Sequence, residues 1–144
     1  MLEKMKGIVK GNDLCVLATV WEGRPRCSLM SYISDEEGRE ILISQRQTRK
    51  YLNLMENPTV SLLIDTCEKE KGRRRIYIKA LTVSGEFQII NDAGKKDLIR
   101  AKFFKRHSHL TDFLDDPGAE IFSAKIKSFQ LLDGVKNTFF ETVE

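Results

Sequence analysis

The sequence predicts a mainly β, α+β fold: six or seven antiparallel strands curved into a barrel, with two or three short helices at its margins. Three observations carry that expectation. β-rich runs follow one another across tight polar turns, which makes hairpins. Helical spacing of apolar residues is confined to a few short stretches. Strands and helices do not alternate regularly, as a parallel α/β sheet would require.

Leu2, Met5, Ile8 and Val9 have helical spacing, and Gly11-Asn12 supplies a stop, so residues 2–10 form a short amphipathic helix. The period then changes. LCVLATV (14–20) is a strand, EGRP (22–25) a turn, RCSLMSYI (26–33) a second strand, SDEEG (34–38) a turn and EILIS (40–44) a third strand. A short helix spans 48–56 and stops before Pro58. TVSLLID (59–65) alternates with Val60, Leu62 and Ile64 on one face. CEKEKGRRR (67–75) is a polar loop. In IYIKALTVSGEFQII (76–90), Leu81, Val83, Phe87 and Ile89 share a face while Ile76 and Ile78 fall in the opposite phase, which predicts a bulge or bend near Lys79-Ala80. A helix over about 92–106, a loop, a strand over 119–134 whose phase slips near Ser128, and a final strand in VKNTFFETV complete the chain.

A chain of 144 residues with 41% hydrophobic content makes one domain, 1–144, able to bury a core without staples. Its net charge of +3, from 24 basic and 21 acidic residues, is too balanced to indicate a nucleic-acid or membrane partner. Cys15, Cys27 and Cys67 are odd in number and widely spaced, which fits reduced thiols in a cytoplasmic protein rather than a disulfide framework or a zinc site. The N-terminus has no apolar signal region, and no uncharged apolar run is long enough to span a bilayer.

The sharpest chemical feature is ISQRQTRKYLNLMENP (43–58). From Ile41 to Met55 there is no acidic residue, and Arg49 and Lys50 fall in the first turn of the predicted helix. Cations there oppose the positive end of the macrodipole, so the corner is suited to an anion held by backbone N–H groups, the Thr48 hydroxyl and two cations. Composition alone also fits a solvated basic turn. His107 and His109 could share one face of a strand, but no third ligand has recognisable spacing, so no metal site is assigned. GRRRIYIK reads as a solvated loop, because glutamates interrupt its basic run and no aromatic stacking pattern accompanies it. Glycine-rich phosphate loops and the G-x-S-x-G string are absent. Cys15 and Cys27 lie in strands with no histidine near in sequence, so packing is their default role.

Taken in order, these parts resemble the pyridoxamine 5'-phosphate oxidase-like family of FMN-binding split barrels. The resemblance rests on the N-terminal helix and "LATV" strand, the G-x-P-R turn at Gly23 to Arg26, and a strand ending in Ser44 before Thr48-Arg49-Lys50. Asn57 to Leu62 (NP-x-V-S-L) and Leu81 to Gly85 (L-T-V-x-G) complete it. It covers about residues 8–135. It implies a split β-barrel, a homodimer with FMN in the cleft between subunits, and a small-molecule substrate that the sequence does not identify. Arg49 and Lys50 would hold the flavin phosphate, Thr48 and Ser44 would supply hydroxyls, and Arg26 would reach the phosphate or ribityl chain. Cys27, Ser28, Leu29, Met30 and Gln45 would lie along the isoalloxazine and ribityl.

Members of this superfamily also use haem or a deazaflavin, so the resemblance leaves those cofactors as alternatives, as it does a flavin carrier or sensor without turnover. It stops short of vitamer oxidation. Lys79-Ala80-Leu81 stands where the true oxidases have R-Q-V, and SFQLLDGVKNTFFETVE carries neither the Trp, the Arg nor the His of their C-terminal segment. The expectation is an FMN-dependent oxidoreductase with no identifiable catalytic acid or base.

Overall fold

The computed structural model describes residues 1–46, 49–110 and 119–143, of which 44–46, 49–51, 110 and 119 are described by their backbone. Helix α1 (Leu2–Lys10) precedes strands β1 (Leu14–Trp21), β2 (Arg24–Ser34) and β3 (Glu40–Arg46). Helix α2 (Arg49–Glu56) leads to β4 (Thr59–Asp65) and β5 (Lys79–Ile89). Helix α3 (Ala93–Arg106) precedes β6 (Ala119–Asp133) and β7 (Asn137–Thr142).

All pairings are antiparallel, in the order β3-β2-β1-β4-β5-β6-β7, and an additional β3–β6 pairing closes six of the seven strands into a barrel. β6 makes the closure possible through its length. Along one edge its first half pairs with β3, from Arg46↔Ala119 to Glu40↔Lys125, and its second half pairs with β7, from Ser128↔Thr142 to Asp133↔Asn137. The change of partner coincides with a bulge: β5 Ser84 faces Ser128 but Gly85 faces Ile126, which leaves Lys127 without an opposite residue. The predicted phase slip near Ser128 is this bulge. Gly85 permits the close approach, since a Cβ there would lie 2.5 Å from the Lys125 carbonyl oxygen.

The barrel interior holds Cys15 and Leu17 of β1, Ile41 and Ile43 of β3, Val60, Leu62 and Ile64 of β4, Leu81, Val83 and Phe87 of β5, and Phe122, Ala124, Ile126, Phe129 and Leu131 of β6. This is the alternation the sequence shows for β4. α1 plugs one end with Met5, Ile8 and Val9, tied down by an ion pair between Lys4 and Asp133 at 2.8 Å. α2 approaches the other end, where Leu54 enters the core and Trp21 Nε1 donates to Glu56 at 3.1 Å. α3 covers the outside of the barrel, where Ile99 packs with Leu42, Ile90 and Ile121. Its first turn is capped by Asp92, whose Oδ1 accepts from the Gly94 and Lys95 amides.

Two expectations for 76–90 change. The phase switch is no bulge at Lys79-Ala80: Arg75–Tyr77 form a 3-10 turn before β5 begins, so Ile76 and Ile78 never belong to the strand. Ile89 is exposed and its neighbour Ile90 is buried, because the chain leaves the barrel there to reach α3. Gly11 ends α1 at φ −86°, so it acts there without a left-handed conformation. The β1–β2 hairpin does use that region: Glu22 (φ 49°) and Gly23 (φ 73°) form its two-residue turn.

Candidate functional site

β2 is paired unequally along its length. Residues Arg24–Ser31 pair with β1, but β3 joins β2 only over Tyr32↔Ile43, Ile33↔Leu42 and Ser34↔Ile41. Beyond that point the two strands part. The β3 residues Ser44, Gln45 and Arg46 continue on β6, opposite Ile121, Glu120 and Ala119. Among the described residues, the stretch 24–31 therefore has one unpaired edge, and the end of β3 faces it across a split in the barrel wall. Such an edge offers free N–H and C=O groups. Pro25 in β2 was the sequence signal for it, since proline within a strand marks an edge.

The predicted ligand-contacting residues fall on the two sides of this split. Arg26, Cys27, Ser28, Leu29 and Met30 lie on the open-edged part of β2, and Ser44 and Gln45 on the departing end of β3. Arg49 and Lys50 begin α2, whose first turn has no acidic residue. Thr48 lies outside the described residues. The five β2 residues do not act as one surface. Arg26, Ser28 and Met30 are opposite the inward Thr19, Leu17 and Cys15, and Met30 packs on the core. Cys27 and Leu29 are opposite the outward Ala18 and Val16.

The outward face has a character that the sequence did not reveal. One row runs straight across the sheet, Leu29-Val16-Leu63-Thr82-Gln130-Phe140. Leu29 and Phe140 are 69% and 66% exposed. A hollow of about 180 Å³ on this face is lined by Leu14, Val16, Leu29, Leu63 and Cys67 among others, below the roughly 300 Å³ at which small-molecule pockets begin. A larger hollow of about 410 Å³ opens between α1, the end of β2 and α3, where Lys10, Lys102 and Arg106 are offset by Asp35 and Glu36.

The histidines are not strand residues. His107 caps the C-terminal end of α3, and His109 lies in a 3-10 turn after it. His107 is buried, its ring 5.0 Å from that of Phe103 and 5.8 Å from that of His109. Its Nε2 lies 2.8 Å from the Tyr32 carbonyl oxygen. A carbonyl only accepts, so Nε2 carries the hydrogen and has no lone pair for a metal. Among the described residues no group of three or more His, Cys, Asp or Glu side chains is placed to hold a metal ion. Cys15 is buried in the core, and burial pushes its thiol up to about 12. Cys67 is exposed, and a hydrogen bond with Asp65 raises its thiol above the ordinary range.

With the barrel, its split and the outward row in view, comparison with known proteins is decisive for the family. The model for pyridoxamine 5'-phosphate oxidase matches residues 1–133. The chain belongs to the pyridoxamine 5'-phosphate oxidase family. No curated protein sequence matches it. Solved structures share the fold at low identity. An FAD-binding protein from Mesorhizobium loti superposes with a TM-score of 0.74 at 20% identity, over 91% of this chain and 93% of its own. The haem storage protein HutZ of Vibrio cholerae gives 0.72 at 20% identity, over 95% and 92%. A haem-binding protein from Mycobacterium smegmatis gives 0.82 at 17% identity, and the chain spans only 57% of its length. No helix in the described part of this family member is long and apolar enough to cross a membrane.

Proposed function

We infer that the chain binds FMN at the split between β2 and β3 and works as a homodimeric, flavin-dependent oxidoreductase. The observation that carries this reading is the divergence of the two strands beyond Tyr32↔Ile43, directly ahead of a helix that begins with Arg49-Lys50. An open strand edge suits the polar rim of a planar ring system, and the basic helix start suits a phosphate. A phosphate near charge −2 between the cations and the helix N-terminus would offset the repulsion that otherwise makes that pairing unfavourable. Bound there, the flavin would supply the electron chemistry. The chain's own residues would anchor the phosphate through Arg49, Lys50 and the Thr48 and Ser44 hydroxyls, and the outward Leu29 would give the ring an apolar wall.

A second copy completes the site in this reading. The row through Leu29, Val16 and Leu63 leaves apolar side chains in water, and the hollow beside it is too small to enclose a flavin within one chain. A two-fold contact across that row would bury the side chains and deepen the cleft. Three free thiols, Cys15, Cys27 and Cys67, support a reducing, cytoplasmic setting.

Haem is the second reading, favoured by the haem-binding proteins among the similar structures. Against it stands the burial of His107, 2% exposed with its ring against Phe103, which leaves it no open face for haem. The absorption spectrum of the purified protein tests both: flavin bands support FMN, and a Soret band assigns haem instead. Anaerobic addition of NADH or NADPH then separates an enzyme, whose flavin band bleaches, from a carrier or sensor, whose band does not.

A further inference from the structure

The polar loop between β4 and β5 and the turn between β6 and β7 form a single projection at the end of the barrel that α1 plugs. Thr66 and Lys79 clamp the base of the loop: the Thr66 amide donates to the Lys79 carbonyl at 3.0 Å, and the Lys79 amide donates to Thr66 Oγ1 at 2.9 Å. Arg75 Nη1 donates to the carbonyls of Ile78 (3.0 Å) and Gly134 (2.9 Å), and the Gly134 amide donates to the Ile78 carbonyl at 3.1 Å. Gly134, at φ 74°, brings the two turns together so closely that a Cβ on it would lie 2.6 Å from the Ile76 carbonyl oxygen. The projection is thus a built surface, with internal hydrogen bonds of its own.

Its side chains are unusual for a solvated loop. Ile76, Tyr77 and Val135 are 54%, 48% and 62% exposed. The two segments carry Lys69, Lys71, Arg73, Arg74, Arg75, Lys79 and Lys136 against Glu68 and Glu70, so residues 66–79 with 134–137 carry a net charge of +5, bordered by Asp65 and Asp133; Lys69 Nζ turns back towards Gly11 of α1. The whole chain carries +3, which leaves the rest at −2. The near-balance that argued against a membrane partner conceals this segregation. Arg73 is paired with Glu70 at 3.0 Å, and Lys79 faces Asp133 across the β5–β6 ladder.

We propose that this projection docks the protein onto an anionic lipid surface, with Ile76 and Val135 entering the interface and the surrounding cations meeting headgroup phosphates. Clustered Lys and Arg beside exposed apolar side chains are the features that combine electrostatic attraction with shallow insertion. A second copy of the chain does not fit this surface, because a two-fold contact would set +5 against +5. Single-stranded nucleic acid fits less well. Its bases need free aromatic faces to stack on, and the one aromatic here, Tyr77, has the Arg73 guanidinium 4.6 Å from its ring centre. The proposal is independent of the cofactor, since the projection is no part of the split.

The test is cosedimentation of the full chain with vesicles of phosphatidylcholine alone and of phosphatidylcholine mixed with phosphatidylglycerol, at low and high salt. Binding is expected only to the mixed vesicles and should fade at high salt, as the screening length falls from about 10 Å at 0.1 M to about 3 Å at 1 M. The double substitution K71E/R74E should weaken binding by at least about 30-fold, as each lost cation near such a surface contributes about fivefold and each added carboxylate is repelled. I76S/V135S should weaken it on the order of tenfold or more through lost apolar burial. Equal binding to both vesicle types, binding to neither, or capture of a single-stranded RNA oligomer with an affinity indifferent to Ile76 and Val135 overturns the proposal. Should a variant fail to fold, the comparison of lipids and salts on the unaltered protein decides alone.

Discussion

His107 Nε2 donates to the Tyr32 carbonyl over 2.8 Å, and the Tyr32 hydroxyl donates in turn to the Val9 carbonyl over 2.5 Å, so one chain of contacts links α3, β2 and α1. The junctions of α1 and α3 with the barrel thus meet at Tyr32, where β2 parts from β3. Removing the imidazole should be felt as stability. His107→Ala deletes a buried ring and a partner of a backbone carbonyl, at a cost of about 2–4 kcal/mol. Thermal unfolding should fall by roughly 6–15 °C, whereas the exposed His109→Ala should change it little. If His107→Ala leaves the melting temperature unchanged, the structural role assigned to this contact is wrong.

The basic start of α2 is checked by phosphate discrimination. Arg49→Ala with Lys50→Ala should weaken FMN binding by about 3–6 kcal/mol if each cation makes one charge-assisted hydrogen bond. Riboflavin, lacking the phosphate, should bind both proteins alike. Fluorescence titration reads both, and equal FMN affinity in the two proteins would remove Arg49 and Lys50 from the site.

Assembly should depend on the outward row. Light scattering at micromolar concentration should give the mass of a dimer. Leu29→Asp, which places a charge beside Val16 at the β2 end of that row, should yield a monomer with weakened FMN affinity. A monomeric parent protein that still binds FMN at full stoichiometry would refute a site shared between subunits.

The C-terminus predicts an activity that should be missing. Oxidising a bound vitamer needs groups that hold its reacting carbon against the flavin at near-attack distance. Residues 128–144 hold one cation, Lys136, in the turn between β6 and β7. Pyridoxal 5'-phosphate formation, followed by absorbance with FMN saturating, should be negligible; turnover on the order of 1 per second or faster would show that other residues serve that substrate.

The thiols should divide by burial. A colourless disulfide reagent that releases a coloured thiolate should titrate Cys67 in the native protein, reach Cys27 where neither FMN nor a second subunit covers it, and reach Cys15 only after unfolding. Burial raises the Cys15 thiol from 9.0 to about 12. The unfolded chain thus loses that proton first, and Cys15 should cost stability progressively as pH rises from about 9 towards 12, with no effect below that window. Unfolding curves of Cys15→Ala against the parent across that range should converge as pH rises; parallel curves would contradict it.

What the amino-acid order determined by itself was local. The near-continuous β-rich run LCVLATV, period two in TVSLLID, period 3.6 in residues 2–10 and about 92–106, the EGRP turn and the proline after Asn57 place strands, helices and turns, because each follows from the conformation of neighbouring residues. The run of helix and strand types, with Arg49-Lys50 at a helix start, also made the family legible. Tertiary structure alone decided which edges meet. β3 closes on β6 across some eighty residues of chain, and β6 exchanges β3 for β7 at Lys127, which has no opposite residue on β5 and accepts from the Val143 amide. The same pairing opens the split beside β2 and aligns Leu29, Val16, Leu63 and Phe140 in one row. It also brings Gly134 to Ile76 and gathers the positive charge of two loops at one end of the barrel. None of these leaves a periodic trace in the sequence, because a strand's own alternation states which face is buried and is silent on which partner lies at its edge.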